Sequence, residues 1–160
     1  MAKELTIRMA RVQDAPKLRA LLLEWLKSEP RAGRLRSIRR AIRNREFLVA
    51  QIQSNDIGFI HYILHEDVID GALNAFITAF YVSPAYRGKG VGSSLLRQAI
   101  TDSIARGAVG VETSTIHDSA RKLYEKHHFK QASGDIGEVF LELDVDAFSS
   151  PLMTHPKPHS

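Results

Sequence analysis

The 160-residue sequence is 44% hydrophobic and 25% charged, the proportions of an ordinary globular domain with chain enough for one sizeable core. It contains no cysteine, which excludes disulfide frameworks, thiolate metal sites and cysteine nucleophiles. A formal charge of +4 mildly favours anionic ligands without naming one. No apolar run approaches the ~20 residues needed to cross a bilayer, and residues 1–27 lack a signal-peptide layout; a cytoplasmic protein with no membrane association is expected, with no metal site.

In chain order, Leu5–Met9 alternates as a first strand. Asp14 is placed to cap a helix with Pro16 in its first turn and Leu18, Leu21, Leu22, Trp25 and Leu26 on its apolar face. Pro30 and Gly33 end that helix. A second helix, about Leu35 to Arg45, turns Leu35, Ile38 and Ile42 inward and Arg36, Arg39, Arg40 and Arg43 outward. The arginine face reads either as a solvated surface or as a contact for an acidic acceptor or nucleic acid. The stretch has no aromatic residue to stack on single strands, and nucleic acid is not the expected partner.

Phe47–Ile52 and Ile57–Leu64 read as a hairpin turning at Ser54-Asn55-Asp56. The run Ala75–Val82 is apolar on both alternating faces, as in a central strand covered on two sides, and Pro84 stops it. Arg87-Gly88-Lys89-Gly90-Val91-Gly92 follows, and a long amphipathic helix starts near Val91. Glycines at every second position leave backbone N–H groups open to an anion, and a helix N-terminus flanked by Arg87 and Lys89 favours phosphate. Lys89 is followed by Gly90, not by the Ser or Thr of a Walker loop, and the glycine spacing is too narrow for a dinucleotide fingerprint. Val109–Thr115 reads as a fifth strand, His117–Lys126 as a helix, and Glu138–Leu143 as a final strand. One domain over residues 1–148 is expected, with residues 149–160, broken by Pro151, Pro156 and Pro158, as a disordered tail.

Two of these segments carry a resemblance. The Arg87–Gly92 loop resembles the Arg/Gln-x-x-Gly-x-Gly/Ala loop of the GCN5-related N-acetyltransferase (GNAT) family. His117-Asp118-Ser119-Ala120-Arg121-Lys122-Leu123-Tyr124-Glu125-Lys126-His127-His128-Phe129 is similar to that family's Asn-x-x-Ala-x-x-Leu-Tyr-x-x-x-Gly-Phe, with His117 for the Asn and His128 for the Gly. The resemblance covers roughly residues 75–130. It implies an α/β (α+β) acyl-CoA N-acyltransferase fold: a mixed central sheet flanked by about four helices, in the order β-α-α-β-β-β-α-β-α-β.

It also implies a reaction. Acetyl-CoA would be the co-substrate, its pantetheine arm slotted between two splayed strands and held by main-chain groups near Tyr81 and Val82. Its diphosphate would rest on amides from Arg87, Gly88, Lys89, Gly90, Val91 and Gly92, with Ser93 and His117 nearby. An amine, on a small molecule or a peptide, would attack the thioester directly, and Tyr124 would protonate the departing thiolate. The base is open. The central strand carries Thr78 and Ala79 where relatives carry acids, and Glu112 is one candidate. His61 and His117 titrate in a suitable range, although an imidazole in an apolar strand is also an ordinary packing residue; water is a further route. Two other readings stand beside the enzyme, an acetyl-CoA-binding sensor and a basic nucleic-acid-binding module. A homodimer is compatible with the sequence.

Overall fold

The computed structural model describes residues 3–27, 34–135 and 138–149. Its elements run β1 (Leu5–Met9), α1 (Ala15–Leu26), α2 (Leu35–Arg43), β2 (Phe47–Ile52), β3 (Asn55–Glu66), β4 (Leu73–Val82), α3 (Val91–Ala105), β5 (Gly110–Thr115), α4 (Asp118–Lys126), β6 (Lys130–Asp135), β7 (Glu138–Asp144) and α5 (Val145–Ser149). The strands form one seven-stranded sheet in the order β1-β2-β3-β4-β5-β7-β6. Among the described residues only the β4–β5 pair is parallel, so the sheet is mixed, as expected.

The expected order holds through α4, and the final strand is β7. Between them lies β6, which the sequence did not suggest. Lys-Gln-Ala-Ser-Gly-Asp has no apolar alternation, because β6 is an edge strand paired with β7 alone. Ser149, expected in the tail, closes α5; the rest of the expected tail lies outside the described residues.

The sheet is covered on both faces. Leu95, Leu96 and Ile100 of α3 pack with Leu48, Ile60, Tyr62 and Ile77 on one face. Leu18 and Leu21 of α1 and Ile38 and Ile42 of α2 pack with Phe47, Val49, Phe59 and Tyr81 on the other. Each such side chain, buried, stabilises the fold by roughly 1.5–3 kcal/mol before conformational entropy is counted. Tyr62 is fully buried because its hydroxyl donates to Asp102 Oδ2 at 2.6 Å. Arg106 donates to the same oxygen at 3.2 Å and to the carbonyl of Arg45 at 3.0 Å. Burial and the Asp102 carboxylate push the Tyr62 phenol well above its ordinary range, and the network pins the far end of α3 over β3.

Two local expectations are corrected. Asp14 begins α1 but makes no side-chain cap to it. Its carboxylate turns back to accept the Arg11 N–H at 2.6 Å and the Arg8 guanidinium at 2.7 and 3.0 Å, and the Arg8 hydrogen bonds hold its pKa below the usual carboxylate value. The β2–β3 turn is Gln53-Ser54, both at positive φ (50° and 68°), with Asn55 already paired to Ile52. A two-residue turn with left-handed residues matches the twist of the strands; without Asn-Gly, its position was hidden.

α4 ends at Lys126, where the sequence reading ended it. His128 has φ +71°, its N–H bonds the Glu125 carbonyl at 3.0 Å, and the Phe129 N–H bonds the Tyr124 carbonyl at 3.1 Å. These are the two crossed bonds of a Schellman ending, whose left-handed residue is usually Gly. His128 is exposed, so little packing depends on its ring. His128→Gly is therefore expected to stabilise the domain by up to about 1 kcal/mol, the relief of left-handed strain less the added unfolded-state entropy. The thermal midpoint should rise by about 2–4 °C; a lower midpoint would mean the imidazole holds contacts worth more than the strain.

Candidate active site

β4 and β5 run side by side only from Asn74↔Gly110 to Ile77↔Thr113. Beyond that pair they part, and the cause is visible on the other edge of β4. Opposite β3, Tyr62 faces Ile77 and His61 faces Ala79, so Thr78 is the extra residue of a bulge, which bends and twists its strand. The bulge also switches faces. Ala75 and Ile77 join the α3 side of the core, whereas Ala79 and Tyr81 join the α1–α2 side. Between the diverging strands lies a cleft of about 320 Å³, lined among others by Trp25, Thr78, Thr113, Ser114, His117 and Tyr124.

Tyr124 forms the α3-side wall of this cleft. It is 3% exposed, its ring held between Phe80 and Phe129. Thr113, the last β5 residue paired with β4, lies against it; the Thr113 hydroxyl donates to the Ile77 carbonyl at 3.3 Å. Burial raises the Tyr124 phenol, and Thr113 offsets that only in part. The hydroxyl is therefore a protonated donor through neutral pH.

The glycine loop closes one end of the same β4 segment. Gly88 and Gly90 adopt φ +70° and +81°, and nothing lies within 4 Å of a Cβ added at either. Among the described residues, the backbone N–H groups of Gly88, Lys89, Gly90, Val91, Gly92 and Ser93 find no backbone acceptor; the first helical bond runs from Ser94 to Gly90. Such a row of free amides at a helix start is an anion cradle. Gly92 has a different purpose, since a Cβ there would meet Leu123 at 3.3 Å and Phe80 at 3.5 Å. It lets α3 approach α4 and β4. Arg87 stacks on the Tyr81 ring, 5.3 Å from its centroid, and donates from Nε to the Val82 carbonyl at 2.8 Å. Lys89 reaches the Ala85 carbonyl.

A family model described as "Acetyltransferase (GNAT) domain" matches residues 43–131, more than half of the chain. The chain belongs to the GNAT acetyltransferase family. Comparison with curated proteins returns no significant match. Solved structures supply the fold-level likeness. An N-acetyltransferase from Staphylococcus aureus Mu50 has a TM-score of 0.71 at 22% identity, with 89% of this chain and 99% of that chain covered. The NatC complex bound to Gag peptide and CoA gives 0.74 at 19%, over 88% and 98%. The PaiA N-acetyltransferase from Thermoplasma acidophilum in complex with coenzyme A gives 0.65 at 21%, over 88% and 99%.

On this GNAT frame the residues singled out from sequence fall into two groups. Arg87 to Ser93, Tyr124 and His117 border the β4–β5 cleft or its glycine end. Tyr81 and Val82 pair with β3 and lie where β4 has no β5 partner, but the Tyr81 side chain turns away, its hydroxyl donating to Glu24 at 2.8 Å. Val91 is buried and offers only its amide. Glu112 stands apart. It does not line the cleft, and its carboxylate lies 3.5 Å from His65 Nε2.

Three features had no sequence signal. Trp25 reaches the cleft from α1, Thr113 supports Tyr124 from β5, and buried His127 places Nε2 3.0 Å from the Ser93 hydroxyl. Among the described residues, the outward Arg36, Arg39, Arg40 and Arg43 of α2 make no salt bridge, and no helix is long and apolar enough to cross a membrane.

Proposed function

We propose that this chain transfers an acetyl group from acetyl-CoA directly to a primary amine, with Tyr124 protonating the departing CoA thiolate. The observation that carries this reading is the convergence of three features on one cleft: a β4 edge from Thr78 to Val82 that β5 leaves without a partner, free amides at the start of α3, and a buried, protonated phenol on α4. An extended pantetheine arm satisfies the β4 edge as an added strand would. The diphosphate is received by the amides from Gly88 to Ser93. Arg87, which holds the Val82 carbonyl in the free protein, releases that group to the arm and turns its charge to the diphosphate. His117, at the cleft rim, packs beside the cofactor.

The chemistry is one displacement. The amine nitrogen bonds the thioester carbon, the C–S bond breaks, and sulfur takes the Tyr124 proton. No acyl-enzyme is needed. The acceptor panel consists of small amines and peptides with a free amino group, the latter motivated by the peptide named with the NatC neighbour. The expected result is saturable acetyl-CoA binding in calorimetry, and release of free CoA when an amine panel is supplied. Tight acetyl-CoA binding without CoA release from any amine would favour the sensor reading; no binding at all would remove both.

A further inference from the structure

An amine is a cation at neutral pH: it must lose one proton before it can attack and a second as the amide forms, yet β4 offers no carboxylate at the cleft. What it offers is Thr78, the bulge residue, whose hydroxyl lies in the cleft wall and against His61 Nδ1 of β3. On the far side of the ring, His61 Nε2 lies 3.3 Å from Glu46 Oε2, just ahead of β2. Carboxylate, imidazole and hydroxyl thus form one hydrogen-bonded line, entering the cleft from the α1–α2 side while Tyr124 enters from the α3 side.

We propose that Thr78, His61 and Glu46 form the proton outlet for the attacking amine. This rests on the acetyl-transfer reading above. The amine attacks in its neutral form, its first proton already left with water. As the N–C bond forms, the nitrogen passes its surplus proton to Thr78 Oγ1, and the Thr78 hydroxyl proton passes to His61 Nδ1. The C–S bond breaks and Tyr124 gives its proton to sulfur. After CoA leaves, Tyr124 regains a proton from water and His61 gives up its own to water, which returns both groups to their starting forms. Glu46 is a positioning residue: accepting from Nε2–H, it holds the neutral ring with Nδ1 bare toward Thr78, then stabilises the imidazolium.

The surroundings suit a proton acceptor that works at neutral pH. His61 is half-buried against Phe47, with ring centroids 4.5 Å apart. Burial lowers its pKa from the ordinary histidine value and Glu46 restores only part, so the ring is free base at pH 7. Of the charged groups facing it, Glu46 is in contact, and Arg34 at the head of α2 lines the same small groove with Leu22 of α1. From β4 it meets only Thr78 and Ala79. The groove opens the ring to solvent, where the proton leaves.

The arrangement makes a claim that needs no acceptor. Nitrogen-15 NMR of the ligand-free protein should show His61 as the Nε2–H tautomer, with a titration midpoint that moves in Glu46→Gln. A dominant Nδ1–H tautomer overturns the proposal, because that nitrogen could not accept from Thr78. With an amine that supports turnover, His61→Gln should lower kcat by about 10²–10⁴ and abolish the histidine-range acid limb of the kcat profile, with acetyl-CoA affinity retained. Thr78→Val should do likewise, and Thr78→Ser should recover much of that loss. A kcat for His61→Gln within about threefold of wild type, or a fall that leaves the acid limb in place, overturns the relay and makes His61 a packing residue. Either result leaves wild-type CoA release, and with it the acetyl-transfer reading, untouched.

Discussion

Tyr124→Phe is expected to lower kcat by at least about tenfold, within the range that a positioned general acid contributes, while acetyl-CoA still binds. The ring sits between Phe80 and Phe129 in a 3%-exposed site, and Phe keeps that packing. What is lost is one hydroxyl, so the variant should fold, at a cost of about 1 kcal/mol for a hydrogen bond of the ordinary kind. Because burial keeps the phenol above its ordinary value, ionisation of Tyr124 should not limit turnover at neutral pH. Activity that depends on it falls only as pH rises past the usual phenol range near 10. Pre-steady-state kinetics separates chemistry from product release. An unchanged rate of the chemical step would make Tyr124 a packing aromatic.

Gly90→Val should cost at least about tenfold in acetyl-CoA affinity, or roughly 1.4 kcal/mol. The cost does not come from crowding, since nothing lies within 4 Å of an added Cβ. It comes from φ +81° at the cap of α3, where a β-branched residue is strained by about 1–2 kcal/mol. Relaxing that strain rotates the amides on either side out of the cradle. Gly92→Val should also weaken binding, by another route: its Cβ drives into Leu123 and Phe80, shifting α3 against α4, so its thermal midpoint should fall more than that of Gly90→Val. Calorimetric titration with circular dichroism of each variant measures both effects. Unchanged affinity in a folded Gly90→Val protein would remove the amide cradle as the cofactor site.

Much of the site could be read from the sequence because its causes are local. Alternating glycines ahead of an amphipathic run specify a left-handed entry into α3, and Gly88 and Gly90 take it. The spacing from Ala120 to Lys126 specifies a helix, and the structure adds that Tyr124 is buried and that the helix ends left-handed at His128. These are choices of backbone dihedral and helix face, settled within four or five residues.

The tertiary structure decided what depends on residues far apart in the chain. A bulge at Thr78 exists only against the register of β3, and the cleft opens where β5 stops pairing with β4 after Thr113. Tyr62 meets Asp102 across 40 residues and Tyr81 meets Glu24 across 57, pairings that no period of 2 or 3.6 encodes. His61 shows the division most plainly. The sequence could say only that an imidazole lay in an apolar strand, whereas the fold set Glu46 against one nitrogen and Thr78 against the other. A side chain's chemistry is written in its residue type, but its hydrogen-bond partners are chosen by strand register and packing, which form only when the whole sheet does.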